Sequence, residues 1–177
     1  MTYPIAENEP DRIAMLQSLG ILDSSSDPNF DRIVSLCQDI FDIEIATISL
    51  VDAERQWFKA EVGLGACETE REVAFCNYTI MSDDIFEVTD ASTHPDFSDN
   101  ELVTGEPHIR YYAGAPFSFD GFRLGAVCLI DSRTRPPLTE RERSILIGLS
   151  AVVEREIRTQ RLLRESLEAL TSYIKGE

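Results

Sequence analysis

Positive charge is scarce in this chain. The 16 lysines and arginines face 32 aspartates and glutamates, leaving a formal net charge of −16. An acidic surface repels nucleic acid backbones and anionic headgroups, so neither nucleic acid nor a membrane is expected as a partner. Histidine is scarcer still: His94 and His108 are the two in the chain, and both lie in a polar connecting region. The four cysteines, Cys37, Cys67, Cys76 and Cys128, are widely spaced and include no C-x-x-C pair. Those shortages argue against a metal site and read as free thiols in a reducing compartment. Long hydrophobic runs are missing as well. Nothing approaches the roughly 18 to 20 apolar residues of a membrane span. The opening "MTYPIAENEPDR" lacks the basic and apolar regions of a signal peptide, so the expected location is cytoplasmic. Neither G-x-x-x-x-G-K-[ST] nor G-x-G-x-x-G occurs, which removes a glycine loop for nucleotide phosphates.

What is present suffices for one ordinary domain with an extension. Over 177 residues, 43% are hydrophobic and 9 are phenylalanine, enough for a core. The acidity is uneven. Residues 1–138 hold 9 basic against 25 acidic side chains, a balance of 9 − 25 = −16, whereas residues 139–177 hold 7 of each. The organisation expected is an N-terminal helix over 1–22, a core over 23–138 and a C-terminal helix over 139–177.

Local patterns fill in the elements. "ENEPDRIAMLQSLGILD" predicts a short helix, with Pro10 early, Asp11 at the positive end of the dipole and Gly20 at the close. "DPNFDRIVSLCQDIF" predicts a second, capped by Asp27, with Phe30, Ile33, Val34, Cys37, Ile40 and Phe41 on one stripe. "IEIATISLVD" and "QWFKAEV" predict an antiparallel hairpin; strict alternation puts Phe58, Ala60 and Val62 on one face and Trp57, Lys59 and Glu61 on the other. The chain then reads as irregular to about residue 84, followed by a short strand in "IFEVTD" and a long polar connection. Asp120-Gly121 predicts the turn of a second hairpin, and Pro116 an edge or bulge within it. Thr139 and Glu142 form a capping box at the start of a long final helix. Hairpin-linked strands with helices on one face make an α+β fold, and the loops over residues 66–108 would cover a ligand pocket on the other face.

Several stretches together resemble the bacterial GAF-domain pattern of the kind found ahead of histidine kinases and diguanylate cyclases. They are "LGILDSSSDPNFDRI", "ISLVDAERQWFKAEVGL", "REVAFCNYTI", "HPDFSDNELVTGEPHIRYYAGAPF" and "LGAVCLIDSRTRPPLTERE", spanning about residues 11 to 157. The resemblance implies a GAF-like, PAS-related antiparallel sheet of about six strands, helices on one side, a small-molecule pocket on the other, and signalling through terminal helices in a dimer. A kinase or cyclase output domain is an implied partner. No such domain follows the final helix, so the expectation is a fragment of a larger sensor or a chain acting in trans. Two positions depart from the pattern. Tyr78 stands where similar sequences often carry a histidine two residues after the cysteine, and Asn77 where bilin-carrying relatives have histidine. Bilin is therefore disfavoured, and the cofactor stays unknown.

The candidate pocket residues are Phe75, Cys76, Tyr78, Phe97, His108, Arg110, Tyr111 and Tyr112. Cys76 reads as a packed thiol rather than a nucleophile, because the nearest cation in sequence is Arg71 and Asp83 and Asp84 would raise its pKa. Tyr111 and Tyr112 go to opposite faces of a strand, so one hydroxyl can reach the pocket. His108 and Arg110 either hold an anionic group or brace the turn "TGEPH". Asp83, Asp84, Glu87, Asp90, Asp96 and Asp99 read as a solvated acidic rim. In the final helix, Leu146, Leu149, Val153, Glu156, Gln160, Leu163, Leu167, Leu170 and Ile174 follow steps of three and four, a coiled-coil seam with seven of nine positions apolar. The reading is a non-enzymatic sensory module that forms a homodimer through its terminal helices. The alternatives are a thiol-dependent reductase of the free methionine sulfoxide type, drawing on Cys67, Cys76 and Cys128, and a ligand-free dimerisation module.

Overall fold

The computed structural model describes residues 3–175. Met1, Thr2, Gly176 and Glu177 are the outer ends of the 1–22 and 139–177 segments and of the amino-terminal stretch read for a signal peptide; they lie outside the described residues. Two helices, α1 (Glu9–Ser18) and α2 (Pro28–Phe41), precede the hairpin of β1 (Ile45–Val51) and β2 (Arg55–Val62). A short β3 (Glu68–Glu70), a 3-10 turn and α3 (Cys76–Thr79) follow, then β4 (Phe86–Val88), a second 3-10 turn and α4 (Glu101–Thr104). The chain closes with the hairpin of β5 (Tyr111–Phe119) and β6 (Phe122–Asp131) and the long α5 (Glu140–Lys175). The six strands form one antiparallel sheet in the order β3-β2-β1-β6-β5-β4.

Where the determinants are local, the chain does what its residues dictate. The Asp27 carboxylate accepts from the Asn29 amide at 2.8 Å, Pro28 follows, and Phe30, Ile33, Val34, Cys37 and Phe41 are buried along α2. Ile40, expected on that stripe, is exposed instead. Asp120 and Gly121 both take positive φ, 49° and 86°, as a two-residue hairpin turn requires. Pairing of β4 along β5 ends at Gly114, so Pro116 sits at a local edge, and the ladder shifts one residue later, between Phe117 and Ser118. Thr139 and Glu142 exchange the reciprocal bonds of a capping box.

Two expectations need correction. The register between β1 and β2 shifts, with Ile48 opposite Ala60 but Ser49 opposite Phe58, so Lys59 is an extra residue in a bulge. The bulge breaks strict alternation: Trp57 and Ala60 share the helix-side core, and the Lys59 ammonium donates to Ser24 Oγ at 2.8 Å and the Ser25 carbonyl at 2.7 Å. The stretch read as irregular also contains β3, whose Glu68, Thr69 and Glu70 pair with Trp57, Gln56 and Arg55. Three polar residues carry no hydrophobic period to announce a strand.

The sheet separates two cores. On one face, α1, α2 and the first half of α5 cover Ala46, Ile48, Leu50, Tyr111, Ala113, Val127 and Leu129. On the other, the segments between β2 and β5 cover Ile45, Val51, Tyr112, Ala126, Cys128 and Ile130. Buried charge ties the first helix to the second core's border. Arg12 is fully buried; it donates to both oxygens of Glu9, at 2.7 and 2.6 Å, and to the Val51 carbonyl at 2.7 Å. Arg71 reaches the same Glu9 carboxylate at 2.6 Å and donates to Asn77 Oδ1 at 3.0 Å.

Candidate functional site

The second core is where chemistry-bearing residues converge. Alternation along the two central strands aims Thr47 and Ser49 of β1 and Cys128 of β6 away from the helices. Tyr112 of β5 reaches the same face, and Gly114, two residues on, keeps it open: a Cβ there would overlap the Tyr112 hydroxyl. That hydroxyl is shared among Thr79 Oγ1 at 2.7 Å, Cys76 Sγ at 3.3 Å and Cys128 Sγ at 3.5 Å. The thiols of Cys76 and Cys128 are themselves 3.3 Å apart. Thr47 and Ser49 complete the floor, with their hydroxyls 2.7 Å apart.

Above the floor lies an aromatic layer. Phe75 stacks on Phe97 with ring centroids 4.0 Å apart and contacts Tyr112 at 5.1 Å. Tyr78 meets Phe97 edge-on at 4.8 Å and stacks on Phe86 at 5.5 Å. Polar pins hold these segments down. Asn100 caps α4 and donates to the Val73 carbonyl at 3.1 Å, and Arg123 of β6 donates to the carbonyls of Ile80 and Met81 that end α3. Asn77 is fully buried and donates to the carbonyls of Arg71 and Ala74, so it fixes the local backbone.

Between floor and lid is a cavity of about 20 Å³, lined by Thr47, Ser49, Gln56, Phe75, Cys76 and Tyr112 among others. A volume of that order holds roughly one water molecule, far below the ~300 Å³ or more of a ligand cleft. The Gln56 amide donates to Thr69 Oγ1 at 3.3 Å, but its Oε1 is buried without a partner. A buried acceptor left in that state marks a polar subsite beside the Thr47 and Ser49 hydroxyls.

Ionisation on the floor follows from burial and donors. Burial, then the neighbouring Cys128, push the Cys76 thiol well up, so the flanking aspartates suggested by sequence are not the main cause. Burial, then the two thiols, push the Tyr112 hydroxyl up in the same way. Burial opposes ionisation of Cys128 too, but bonds from Cys76, Tyr112, Ser49 and Thr47 outweigh it and bring this thiol down.

Among the sequence candidates, Phe75, Cys76 and Tyr112 line the cavity, and Tyr78 and Phe97 belong to the aromatic layer over it. Tyr111 points to the opposite face, where its hydroxyl donates to Glu87 at 3.0 Å. His108 is half exposed and 3.7 Å from Glu106. Arg110 donates to the carbonyls of Val103, His108 and Ile109, bracing the turn. Glu87 is no member of a solvated rim: it is largely buried against Tyr111, the Leu138 amide and Arg143. Thr47, Ser49, Gln56 and Cys128 were not among the pocket candidates. The small polar residues alternating within "IATISLV" were the available signal for the first two. Nothing local joins Cys76 to Cys128 across 52 residues.

Comparison with known proteins gives this geometry a family. A protein of Pseudomonas aeruginosa named a cyclic di-GMP phosphodiesterase is 42% identical over 161 residues, 90% of this chain. The chain spans 27% of that relative's length. This relative corrects the expectation of a non-enzymatic protein, since sequence this similar forms part of a protein named as an enzyme. Among solved structures, the GAF domain of an Acinetobacter phosphoenolpyruvate-protein phosphotransferase matches with TM-score 0.63 and 19% identity, covering 88% of this chain and 95% of that one. A free methionine-R-sulfoxide reductase from Neisseria meningitidis matches with TM-score 0.64 and 15% identity, covering 92% and 98%. At these identities both show the fold alone. The GAF domain model itself matches residues 27–157, from the α2 cap to the buried half of α5, and the chain belongs to the GAF domain family.

Proposed function

We propose that this chain is the sensory segment of a cyclic di-GMP signalling enzyme or of a close relative of one. It would bind a small molecule between the β1-β6-β5 floor and the aromatic lid, and would pass the event to α5 in a homodimer. The observation that carries this reading is the 42% identity over 161 residues to part of a protein named a cyclic di-GMP phosphodiesterase. Two features support it. The unpartnered Gln56 oxygen and the Thr47 and Ser49 hydroxyls give a ligand something to bond to. The second half of α5 leaves Leu163, Leu167, Leu170 and Ile174 exposed at coiled-coil spacing.

A ligand larger than one water needs the lid to part, so binding would rearrange Phe75, Tyr78 and Phe97 rather than fill a preformed cleft. Native mass spectrometry of freshly purified protein tests the reading. A dimer carrying a retained small molecule is the expected result. A monomer without bound mass, indifferent to cell-extract metabolites in solution scattering, would sink it.

A further inference from the structure

The two thiols on the cavity floor are placed for chemistry with each other. Cys76 opens α3 and Cys128 sits in the middle of β6, both fully buried, with their sulfurs 3.3 Å apart. We propose that Cys76 and Cys128 form a two-electron redox pair, closed to a disulfide by hydrogen peroxide admitted to the adjoining cavity.

The site has a place for the oxidant. The cavity of about 20 Å³ touches both cysteines, and Gln56, which also lines it, has a buried Oε1 with no hydrogen-bond partner. Hydrogen peroxide is little larger than water and carries a donor at each end, which such an acceptor takes. Entry needs only a breathing motion of the lid, not the full opening a larger ligand requires.

The steps balance. The Cys128 sulfur attacks one peroxide oxygen, the O–O bond breaks, and the thiol proton leaves with the other oxygen as water. Cys128 is then a sulfenic acid. The Cys76 sulfur attacks the Cys128 sulfur, the S–O bond breaks, and the Cys76 proton leaves with that oxygen as a second water. Two thiols are oxidised and one peroxide is reduced to two waters. The Tyr112 hydroxyl, 3.3 Å from one sulfur and 3.5 Å from the other, is positioned to pass the proton in either step. Cys128 attacks first because the Ser49 hydroxyl, 3.7 Å away, adds to the Tyr112 hydroxyl and the Cys76 thiol as a donor that favours its thiolate. Bonding requires the sulfurs to approach by roughly 1.3 Å, to the ~2.05 Å of a disulfide. The four residues of α3 are a small piece to shift. The bridge would pin α3 to β6 and lock the lid; that consequence, unlike the bridge itself, rests on the sensory reading above.

The test is peroxide titration of the full native chain, followed by denaturing alkylation and non-reducing peptide mapping. The expected product is a linked pair of peptides carrying Cys76 and Cys128, lighter by two hydrogens and released by dithiothreitol. Free thiols should fall from 4 to 2, with Cys37 and Cys67 still alkylated. Both Cys76 and Cys128 alkylated after peroxide, or Cys67 oxidised in their place, would overturn the proposal. Cys76→Ala and Cys128→Ser should each abolish the link, and the wild-type map decides the matter even if a variant fails to fold. Ligand retention is measured separately on the reduced chain, so failure of the sensory reading and failure of the redox reading give different results.

Discussion

Glu87 on β4 and Arg143 in the first turn of α5 form an ion pair, and the same carboxylate accepts from the Tyr111 hydroxyl and, at 2.6 Å, the Leu138 amide. Its neighbour Phe86 stacks on Tyr78 in the lid. Adjacent strand residues face opposite sides of a sheet, so β4 contacts the lid on one face and grips the root of α5 on the other.

Glu87→Gln should therefore loosen the root of α5 before anything else. The amide keeps a hydrogen bond to Leu138 but leaves Arg143 without its charge partner, at a cost of about 1 to 3 kcal/mol. Hydrogen exchange should accelerate over residues 138–146 while β1 and β2 stay protected. Unchanged exchange at the start of α5 would show that the Glu87 contacts do not hold this end of the helix.

Glu9 supplies the expected pH dependence. Burial works against its charge, but hydrogen bonds from Arg12 and Arg71 prevail and hold its carboxyl below the ordinary value. A carboxyl depressed by folding contributes stability above its unfolded pKa of about 4.3, and loses that contribution as pH falls through the lower folded value. Urea denaturation between pH 7 and pH 3 should show an acid limb that flattens in Glu9→Gln. At neutral pH this variant strands the fully buried Arg12 charge, so it should cost about 3 kcal/mol or more.

Gln56 separates binding from stability. Its unpartnered oxygen weakens the resting core, so Gln56→Met should be neutral or stabilising by about 1 kcal/mol, its loss of the Thr69 bond offset by removal of the orphan acceptor. The same change should abolish retention of any small molecule in native mass spectrometry. Loss of stability with retention intact would mean that Gln56 is structural and the ligand is held elsewhere.

The readable parts of this chain are those whose determinants lie within a few residues. Asp27 with Pro28, Asp120 with Gly121, and Thr139 with Glu142 each specify a cap or turn by themselves. The site resists such reading because it is assembled across strands. Alternation says that Tyr111 and Tyr112 diverge, but only the packing of α5 and α3 on opposite faces decides which one meets the cavity. The Lys59 bulge reverses faces along β2 and is set by the partner strand, so no periodicity in "QWFKAEV" announces it. Glu87 looked solvated for the same reason: its partners Tyr111, Leu138 and Arg143 are 24 to 56 residues away.

The last helix shows how a seam can be divided between two tasks. Leu146 and Val153 of the expected seam are buried by the domain itself, together with Ser150 and Ile157. The polar seam residues also find partners at home: Gln160 donates to Asp27 at 2.6 Å, and Glu156 accepts from Asn29 at 3.0 Å. Neither is then free to set register against a second helix, and the part available for pairing begins after Arg161. There Leu163, Leu167, Leu170 and Ile174 stand 59% to 80% exposed, a density of apolar surface that water disfavours on a lone helix. The double change Leu167→Asp and Leu170→Asp should thus convert a dimer to a monomer in light scattering. Because both side chains lie beyond the packed half of α5, denaturant unfolding of the variant should match the original chain to within about 0.5 kcal/mol at dilutions where the original is monomeric, and fall short of it only by the mass-action contribution of the dimer at higher concentration. A dimer that survives the double change would place the interface on the domain surface, where Leu36, Ile40, Ile147 and Val152 are also exposed.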